Sequence, residues 1–527
     1  MFKKIAAFCL ASLFAAGPII TSTNSGATTS FCISAYAASD YSYKDNYGVT
    51  YTFTVNADQK ATLTGLSNAK ANLVLPSTVK ANGVSYTVTA LGNNFGKKNN
   101  TVKKLTIPAS ITTLGDMCFW LAKNLETINN GSGLTDVGSA AFYSSKWRTN
   151  QENQRGYSTL GKVLISYETS DTTLNMSTST YNNIEYIANG AMSFMEDLKY
   201  LTLPRNLKKI GKDILYSISA TTSSPSSDIE VIKFYDPTLK RYVDFYDVCM
   251  SKNRNQFQQA FIQDYFDTFA CTKVAFKAAE EYAKGILQEC DITYKGTLEN
   301  TGYTALEEYQ IARKLYVYIG KNFQNYVLRE DGGAKNFRSN FFTNRGIVCG
   351  DYAKMYEYLC NLAGINCKYV ETIKDERHAF NVVKIGDSWF NADCCWTWNW
   401  GLSCFMTPDS IMENDVICHT KDQEYKQYDC STTMGDINFD GNINVIDASL
   451  IMDAYATMES SDCEYSSLQL VLCDVNRDGQ INATDASLVL AYYSYAASLR
   501  DSNGNYVTEW PSMEYYLYNV RGYSIIL

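Results

Sequence analysis

Two twelve-residue segments near the C-terminus, residues 436–447 and 474–485, repeat one pattern in register. They read DINFDGNINVID and DVNRDGQINATD and are identical at seven positions. Each places oxygen-bearing side chains at positions 1, 3, 5 and 12 and a glycine at position 6. A hard cation such as Ca²⁺ takes about six to eight oxygen ligands, and the glycine permits the sharp turn that lets one short loop supply most of them. Two copies in register argue strongly against a chance pair of Asp/Asn-rich turns, so the sequence predicts a paired calcium-binding module.

The predicted metal ligands lie at matching positions of the two loops, and we expect two Ca²⁺ ions. They are Asp436, Asn438, Asp440, Asn442, Asp447, Asp474, Asn476, Asp478, Gln480 and Asp485. Position 12 is Asp in both loops, whereas sensor EF-hands have a Glu there, and no helical pattern leads into the first loop.

The duplicated loop-then-helix pattern over roughly residues 432–500 resembles a type I dockerin, a small all-α domain with paired EF-hand-like loops. The resemblance implies a cohesin domain as partner and a cellulosome-type complex as setting. In that family, loop positions 10 and 11 and the following helix contact the cohesin. The corresponding residues are Val445, Ile446 and Met452 in one repeat and Ala483, Thr484 and Leu490 in the other. Because the two halves differ, we do not expect the rotated, two-way binding of symmetric dockerins.

The N-terminus has the pattern of an export signal, with Lys3-Lys4, an apolar run from Ile5 to Ala16 and then Ala35-Tyr36-Ala37. We expect a signal peptide at residues 1–37 and a secreted, extracellular protein that joins a cell-surface complex through the dockerin. The apolar run is too short to span a bilayer, and no later stretch approaches about eighteen apolar residues, so we expect no membrane span in the mature chain. A formal net charge of −9 with no basic stripe argues against a nucleic-acid partner.

Residues 50–236 carry an internal repeat. Its unit starts with an apolar residue, two spacers, a second apolar residue and a small residue; copies begin at Ile111, Leu134, Ile184 and Leu207, with Gly115, Gly138, Ala188 and Gly211 as the small residues. Each unit buries little surface alone, so stacking creates the core. The repeat resembles the leucine-rich repeats of bacterial surface antigens, which implies a β-rich solenoid. An insert at residues 79–88, with Asn82-Gly83 at its turn, is predicted to be a hairpin. The solenoid either binds a protein or glycan or serves as a spacer.

Residues 240–430 change character. Apolar spacing is helical over residues 257–287 and 306–323. Tyr352, Tyr356 and Leu359 fall on one helical face, and Gly364 is a stop signal, so Cys349 is predicted to begin a helix. The helix dipole and free N–H groups there favour the thiolate, as a nucleophile requires.

Three strands are predicted next, at residues 365–372, 378–385 and 388–394. His378 begins the second strand, and Asp393 lies near the end of the third. In adjacent antiparallel strands, an Asp can bond the imidazole and hold its tautomer while the other ring nitrogen faces the thiol. The chain contains only two histidines. The second, His419, is interpreted as a surface or core residue rather than a second base.

His378 lies 29 residues after Cys349, and Asp393 lies 15 residues after His378. Together with the segments GIVCGDYA, AGINCKYV and HAFNVV, this spacing gives residues 305–400 a resemblance to the transglutaminase-like cysteine-enzyme superfamily. The resemblance implies an α+β papain/transglutaminase-like fold without a cofactor. It also implies that Cys349 is the nucleophile, His378 the general base and acid, and Asp393 the orienting carboxylate. Secreted bacterial members of the superfamily look more like peptidases, which favours peptide hydrolysis. No carboxylate pair indicates a glycosidase.

The sequence thus predicts a multidomain, secreted, cellulosome-associated thiol enzyme. Its predicted parts are a signal peptide (1–37), a leucine-rich-repeat solenoid (50–236), a transglutaminase-like domain (240–430), a dockerin (432–500) and a tail (501–527). A cysteine peptidase is the favoured activity. The alternatives are a protein-glutamine transglutaminase, a glycopeptide amidase, or a non-catalytic adhesion or scaffold component. Because the regions are taken as separate modules, calcium removal is expected to unfold the dockerin and leave the thiol chemistry intact.

Overall fold

The computed structural model describes residues 40–193, 195–215, 225–299, 301–324, 326–327, 336–343, 346–373, 378–396, 401–413, 419–507 and 510–521. The predicted signal peptide and residues 508–509 and 522–527 of the tail lie outside the described residues.

The N-terminal half is built from short strands that recur along the chain. In chain order, β1 to β18 are Tyr41–Lys44, Thr50–Val55, Lys60–Ser67, Asn72–Val74, Thr78–Ala81, Val84–Leu91, Lys104–Ile107, Thr113–Leu114, Thr127–Asn130, Asp136–Val137, Tyr157–Leu160, Val163–Tyr167, Thr173–Asn175, Tyr186–Ile187, Tyr200–Thr202, Lys209–Ile210, Val231–Asp236 and Arg241–Asp244. A helix, α1 (Lys146–Arg155), and a 3₁₀ turn (Ser179–Tyr181) interrupt them. Four ladders of three parallel strands stack successive repeats: β4–β7–β9, β6–β8–β10, β12–β14–β16 and β13–β15–β17. The arrangement is the β-solenoid that the repeat predicts.

The small residue of each repeat unit is required by the stacking of successive turns. A Cβ added to Gly138 would lie 2.4 Å from the backbone nitrogen of Asp116, one turn below. Asp116 Oδ1 accepts a 2.7 Å hydrogen bond from Ser139 N–H, which lies 23 residues further along the chain. Inside the stack, the Phe119 and Phe142 rings lie parallel with their centroids 6.1 Å apart. Turns this close leave no space for a side chain at Gly138.

The predicted hairpin is present where the sequence places it. Strands β5 and β6 pair antiparallel, and Ala81 pairs with Val84 across the turn. Asn82 and Gly83 have φ angles of 50° and 81°, which are the left-handed values that a tight two-residue hairpin turn requires. Asn and Gly adopt this conformation at least cost, so the turn residues fix the position of the hairpin.

The central region packs helices against an antiparallel sheet. Its helices, α2 to α7, are Phe245–Met250, Gln256–Phe269, Lys273–Glu289, Ala305–Asn322, Cys349–Leu362 and Asp409–Ile411, with 3₁₀ turns at Phe337–Phe341, Cys394–Trp396 and Gln423–Tyr425. The strands β19 to β22 are Cys367–Glu371, Ala379–Ile385, Ser388–Ala392 and Phe405–Thr407, paired in that order. The predicted helical stretch 257–287 is divided in two, because Thr272 caps α4 by accepting the Ala275 N–H at 3.3 Å.

The C-terminal region is helical between its two loops. Its helices, α8 to α11, are Val445–Thr457, Ser467–Cys473, Ala483–Ser498 and Met513–Tyr515, followed by a π-helical turn at Tyr516–Val520. The described part of the tail packs back on this region, since Tyr492 Oη donates to the Pro511 carbonyl at 3.0 Å. No helix in the described part of the chain has the length and apolar run that a membrane crossing requires.

Candidate active site and calcium loops

Cys349 is the first residue of α6, as the sequence predicts. The helix follows Val348, whose backbone N–H donates to Asp351 Oδ2 at 3.2 Å. The first residues of a helix have N–H groups without intrahelical acceptors and meet the positive end of the helix dipole. Both effects stabilise a negative charge at this position, so the local structure favours the thiolate of Cys349.

His378 and Asp393 are brought together by one strand pair. His378 directly precedes β20 and Asp393 directly follows β21, and the antiparallel register of these strands pairs Asn381 with Ala392. Continuing that register places Phe380 opposite Asp393, with His378 two residues before Phe380 and therefore on the same face of the strand. From there His378 Nε2 lies 2.7 Å from Asp393 Oδ2. The His378 side chain is 14% exposed and that of Asp393 is 1% exposed. The two residues therefore meet at a nearly closed end of the sheet.

Cys349 and His378 influence each other's pKa directly. Burial by itself raises the pKa of Cys349, but the hydrogen bond and the charge of His378 outweigh it, and the net pKa is lowered. Burial alone lowers the pKa of His378, whereas the charge of Asp393 and its hydrogen bond raise that pKa to about 10. The pair therefore favours a thiolate beside an imidazolium, the reactive state of a cysteine nucleophile.

The Asp393 contact also fixes the role of each His378 nitrogen. Burial raises the pKa of Asp393, but the histidines bonded to it hold that pKa below its usual range, so the carboxylate is ionised and has no proton to donate. His378 Nε2 must then carry the hydrogen of the 2.7 Å contact. Nδ1 is left to exchange a proton with the thiol.

Backbone and side-chain contacts hold Asp393 in place. Its Oδ1 accepts a 2.9 Å hydrogen bond from Cys395 N–H, and its own N–H donates to the Cys404 carbonyl at 2.9 Å. Tyr316, on α5, donates its hydroxyl to the Asp393 carbonyl at 2.8 Å. The backbone of Asp393 is thus held by two contacts, and besides the histidines its carboxylate accepts one backbone N–H, that of Cys395.

His419 is a component of the site that sequence reasoning missed. Its side chain is completely buried, and its Nε2 lies 2.9 Å from Asp393 Oδ2, the same oxygen that His378 contacts. The His378 and His419 rings meet edge to face with centroids 4.6 Å apart. The available signal was the scarcity of histidine, because both histidines of the chain converge on one carboxylate.

The cluster of His378, Asp393 and His419 has geometry that fits hydrogen bonding better than metal binding. One ligand atom from each residue lies within 4.8 Å of the others. Two ligands of a tetrahedral Zn²⁺ with bonds of about 2.0–2.1 Å lie roughly 3.3 Å apart. The two N···O distances of 2.7 and 2.9 Å are shorter than this and are those of direct N–H···O hydrogen bonds.

The two C-terminal loops have matching geometry. Asp436 Oδ1 accepts from Asp440 N–H at 3.1 Å, and Asp474 Oδ1 accepts from Asp478 N–H at 3.0 Å. Oδ2 of the position-12 carboxylate accepts the position-9 N–H in both loops. Its Oδ1 accepts the N–H of Ile437, at position 2, in the first loop and that of Asn476, at position 3, in the second. Gly441 and Gly479 both have positive φ, at 81° and 90°. The loops therefore wrap around equivalent centres.

The chemistry of these centres fits Ca²⁺. The predicted ligands all offer oxygen. The carboxylates at positions 1 and 12 of both loops are buried, whereas Asp440 of the first loop is exposed. Burial raises the pKa of Asp474 to about 6 and that of Asp485 to about 7, and neighbouring loop carboxylates add to both shifts. Acidic groups gathered this closely repel one another unless a cation lies between them. The donor set and its crowding are those of a hard-cation site.

The predicted partner-binding residues all lie on the surface. Val445 and Ala483 begin α8 and α10, and the other four lie in the first turns of these helices or further along them. All six predicted residues are exposed: Val445, Ile446, Met452, Ala483, Thr484 and Leu490. Tyr455 adds a further exposed apolar side chain to α8, so the first repeat presents the more apolar of the two faces.

The second calcium loop packs against the central region, which the sequence did not indicate. Tyr309 Oη, on α5, donates to Asp474 Oδ2 at 2.7 Å, and Arg313 Nε donates to the Arg477 carbonyl at 2.6 Å. Arg477 is fully buried and forms an ion pair with Glu514 of the tail at 2.8 Å. Its counterpart at position 4 of the first loop, Phe439, is 54% exposed. The two loops are alike in backbone but differ in surroundings.

Three family models match separate parts of the chain. A BspA type leucine rich repeat region matches in six copies over residues 89–222 and 164–264, a transglutaminase-like superfamily domain over residues 297–394, and a dockerin type I domain over residues 434–493. The chain therefore combines these three components in the predicted order. Together the last two support an enzyme-like component of a cellulosome-type complex. A type I dockerin implies a cohesin partner and calcium binding, and with the repeats it suggests an extracellular or cell-surface protein.

Similar solved structures are leucine-rich-repeat proteins. One from T. pallidum is 17% identical, with 31% of this chain and 62% of that chain covered and a TM-score of 0.20. A leucine rich cell surface protein from Faecalibacterium prausnitzii is 18% identical, with 39% and 60% covered and a TM-score of 0.22. One from Bacteroides ovatus is 18% identical, with 35% and 39% covered and a TM-score of 0.20. The chain spans less than two thirds of each of these proteins. No curated protein matches the chain.

Proposed function

We propose that this chain is a secreted thiol enzyme of a cellulosome-type complex and that it hydrolyses peptide bonds. The observation that carries the proposal is the Cys349–His378–Asp393 arrangement. A thiol at a helix N-terminus has its pKa lowered by a histidine, and Nε2 of that histidine lies 2.7 Å from a buried carboxylate. Such an arrangement supports acyl transfer at an amide.

The Cys349 thiolate attacks the amide carbonyl carbon, and a C–S bond forms as the carbonyl π electrons move to oxygen. The Cys349 N–H, at the start of α6, is the donor that we assign to this oxyanion. His378 gives its proton to the leaving nitrogen, the C–N bond breaks, and a thioester and a free amine result. Water then loses a proton to His378 and attacks the thioester, which releases a carboxylic acid and restores the thiol. Asp393 keeps the His378 ring oriented throughout.

The same thioester supports two alternative reactions. In the first, a lysine amine attacks the thioester and forms an isopeptide cross-link, as in a transglutaminase. In the second, the amide that forms the thioester belongs to a glycopeptide and water hydrolyses the thioester, as in an amidase. A non-catalytic adhesion or scaffold role remains the alternative of another class. The lowered pKa of Cys349 favours the enzyme, because a purely structural thiol has no need of a charged partner.

The other regions supply location. We propose that the dockerin binds a cohesin through the exposed faces of α8 and α10 and that the solenoid presents the enzyme or binds a protein or glycan. Two Ca²⁺ ions, held by the loop oxygens from Asp436 to Asp447 and from Asp474 to Asp485, supply folding energy to the dockerin. The bound ions take no part in the acyl transfer.

The test combines the purified protein, casein and a fluorescent primary amine, read on one gel. Cys349→Ala is the inactive variant, and Cys290→Ala is the matched control because Cys290 is also partly buried but lies away from the site. We expect casein fragments without label for wild type and Cys290→Ala, and intact casein for Cys349→Ala. Fluorescent label in intact casein would show that the reaction is transglutamination rather than hydrolysis. The absence of any Cys349-dependent product, with casein or with a glycopeptide, would overturn the proposal of an enzyme.

A further inference from the structure

One carboxylate oxygen is contacted by both histidines of the chain. Asp393 Oδ2 lies 2.7 Å from His378 Nε2 and 2.9 Å from His419 Nε2. Since the ionised carboxylate is only an acceptor, both Nε2 atoms must carry hydrogen. The proposed reaction uses the first of these N–H groups and leaves the second without a role.

The surroundings of His419 give its ring one orientation. The side chain has no exposed surface, and its ring packs edge to face on Phe380 with centroids 5.2 Å apart. The His419 backbone N–H donates to the Met412 carbonyl at 3.2 Å. The His419 imidazole is therefore completely buried, fixed in orientation and within 2.9 Å of the Asp393 carboxylate.

We propose that His419 is a positioning residue of the Cys349 site, whose Nε2–H holds the Asp393 carboxylate in the rotamer that orients His378. This inference rests on the proposed function. It extends the site from three residues to four, and the fourth residue touches neither the thiol nor the substrate.

The donated hydrogen bond also moderates the charge of Asp393. That charge raises the pKa of Cys349 and raises the pKa of His378. The hydrogen bond from His419 partly offsets the negative charge of Asp393, so this charge raises the pKa of Cys349 and of His378 by less. Without His419, the thiolate forms at higher pH and the imidazolium persists to higher pH, so both limbs of a pH profile move in the alkaline direction.

The other ionisable groups around the cluster do not oppose this expectation. Those that face it from the packed elements are Cys349 on α6, Tyr369 on β19, Cys394 and Cys395 after β21, and Cys404 before β22. Burial raises the pKa of Tyr369 and of the last three thiols above their usual range, so these groups stay neutral below about pH 9. The pH response in that range then belongs to Cys349 and His378, which share the influence of the ionised Asp393.

The test measures the rate of iodoacetamide alkylation of Cys349 by mass spectrometry across pH 4 to 9, and it needs no substrate. In His419→Phe we expect the midpoint of the rate profile to move up by about one pH unit. In His419→Gln, whose amide can still donate, we expect a midpoint within about 0.3 unit of wild type. An unchanged midpoint in a folded His419→Phe would overturn the proposal.

A second measurement uses the unaltered protein and covers the case in which the phenylalanine variant does not fold. With ¹⁵N-labelled histidine, the two residues give a simple imidazole spectrum. We expect two downfield Nε2–H protons, one from each ring, and the loss of one in His419→Gln. A His419 ring protonated only at Nδ1 would contradict the inference. Because neither readout depends on turnover, a failure of the casein experiment leaves both results interpretable.

Discussion

Tyr309 Oη donates a 2.7 Å hydrogen bond to Asp474 Oδ2, the first residue of the second calcium loop. Tyr309 lies on α5, and further along the same helix Tyr316 donates to the Asp393 carbonyl at 2.8 Å. One helix therefore contacts both a calcium loop and the backbone of Asp393, whose carboxylate orients His378. From this packing we predict that the two regions respond to calcium together rather than independently.

Calcium removal is predicted to loosen α5 as well as the dockerin. A ligand at about 100 times its Kd stabilises the folded state by roughly 2.7 kcal/mol, and contacts such as Tyr309–Asp474 transmit part of this to the helix. Hydrogen–deuterium exchange with mass spectrometry, with Ca²⁺ and with EDTA, should show faster exchange over residues 305–322 in EDTA. Tyr309→Phe should weaken that response. Tyr318→Phe is the control, because this tyrosine of the same helix bonds Glu289 instead. Faster exchange confined to residues 432–500 would show that the dockerin and the central region respond to calcium independently.

Arg477→Ala is predicted to be strongly destabilising. Both partners of the Arg477–Glu514 ion pair are nearly inaccessible, with side-chain exposures of 1% and 3%. Removing one partner leaves a buried charge uncompensated, which costs about 3–5 kcal/mol. Urea denaturation should detect the loss. Phe439→Ala, at the same position of the exposed first loop, should change stability by less than about 1 kcal/mol. Equal effects of the two substitutions would mean that Arg477 is exposed in solution.

His378→Ala is predicted to slow alkylation of Cys349 at pH 6 by at least about tenfold. An ordinary thiol is only about 0.3% ionised at that pH, so the lowered pKa of Cys349 gives it a higher thiolate fraction. The sign follows from His378, whose positive charge and hydrogen bond favour the thiolate and disappear in the variant. Cys290, whose pKa is raised by burial, serves as the internal reference in the same digest. Unchanged Cys349 alkylation would show that the ion pair does not form.

Gly138→Ala is predicted to destabilise the solenoid. The new Cβ would lie 2.4 Å from Asp116 N, and overpacking of this kind typically costs about 1–3 kcal/mol. Gly285→Ala on helix α4 is the matched control. No atom lies within 4 Å of a Cβ there, so the higher helix propensity of alanine should stabilise by up to about 1 kcal/mol. Thermal unfolding of the two variants should therefore shift in opposite directions, and a neutral Gly138→Ala would contradict the tight stacking.

Local rules specified much of the fold in advance. The Asn82-Gly83 turn, the helix start at Cys349 and the helix stop at Gly364, whose φ is 86°, each depend on a few neighbouring residues. The glycine of the repeat unit also signalled close stacking. The split of the stretch 257–287 was missed, because apolar spacing continues across the break and Thr272 caps the second helix by its own side chain.

The sequence by itself determined the three components, the spacing of Cys349, His378 and Asp393, and the two loops, because all of these depend on local patterns and motifs. Only the tertiary structure decided that His419 shares the Asp393 carboxylate and that Arg477 lies buried between the central region and the tail. These contacts join residues distant along the chain or in different structural regions. They arise from packing between elements, and no periodicity or spacing in a single sequence encodes which surfaces will meet.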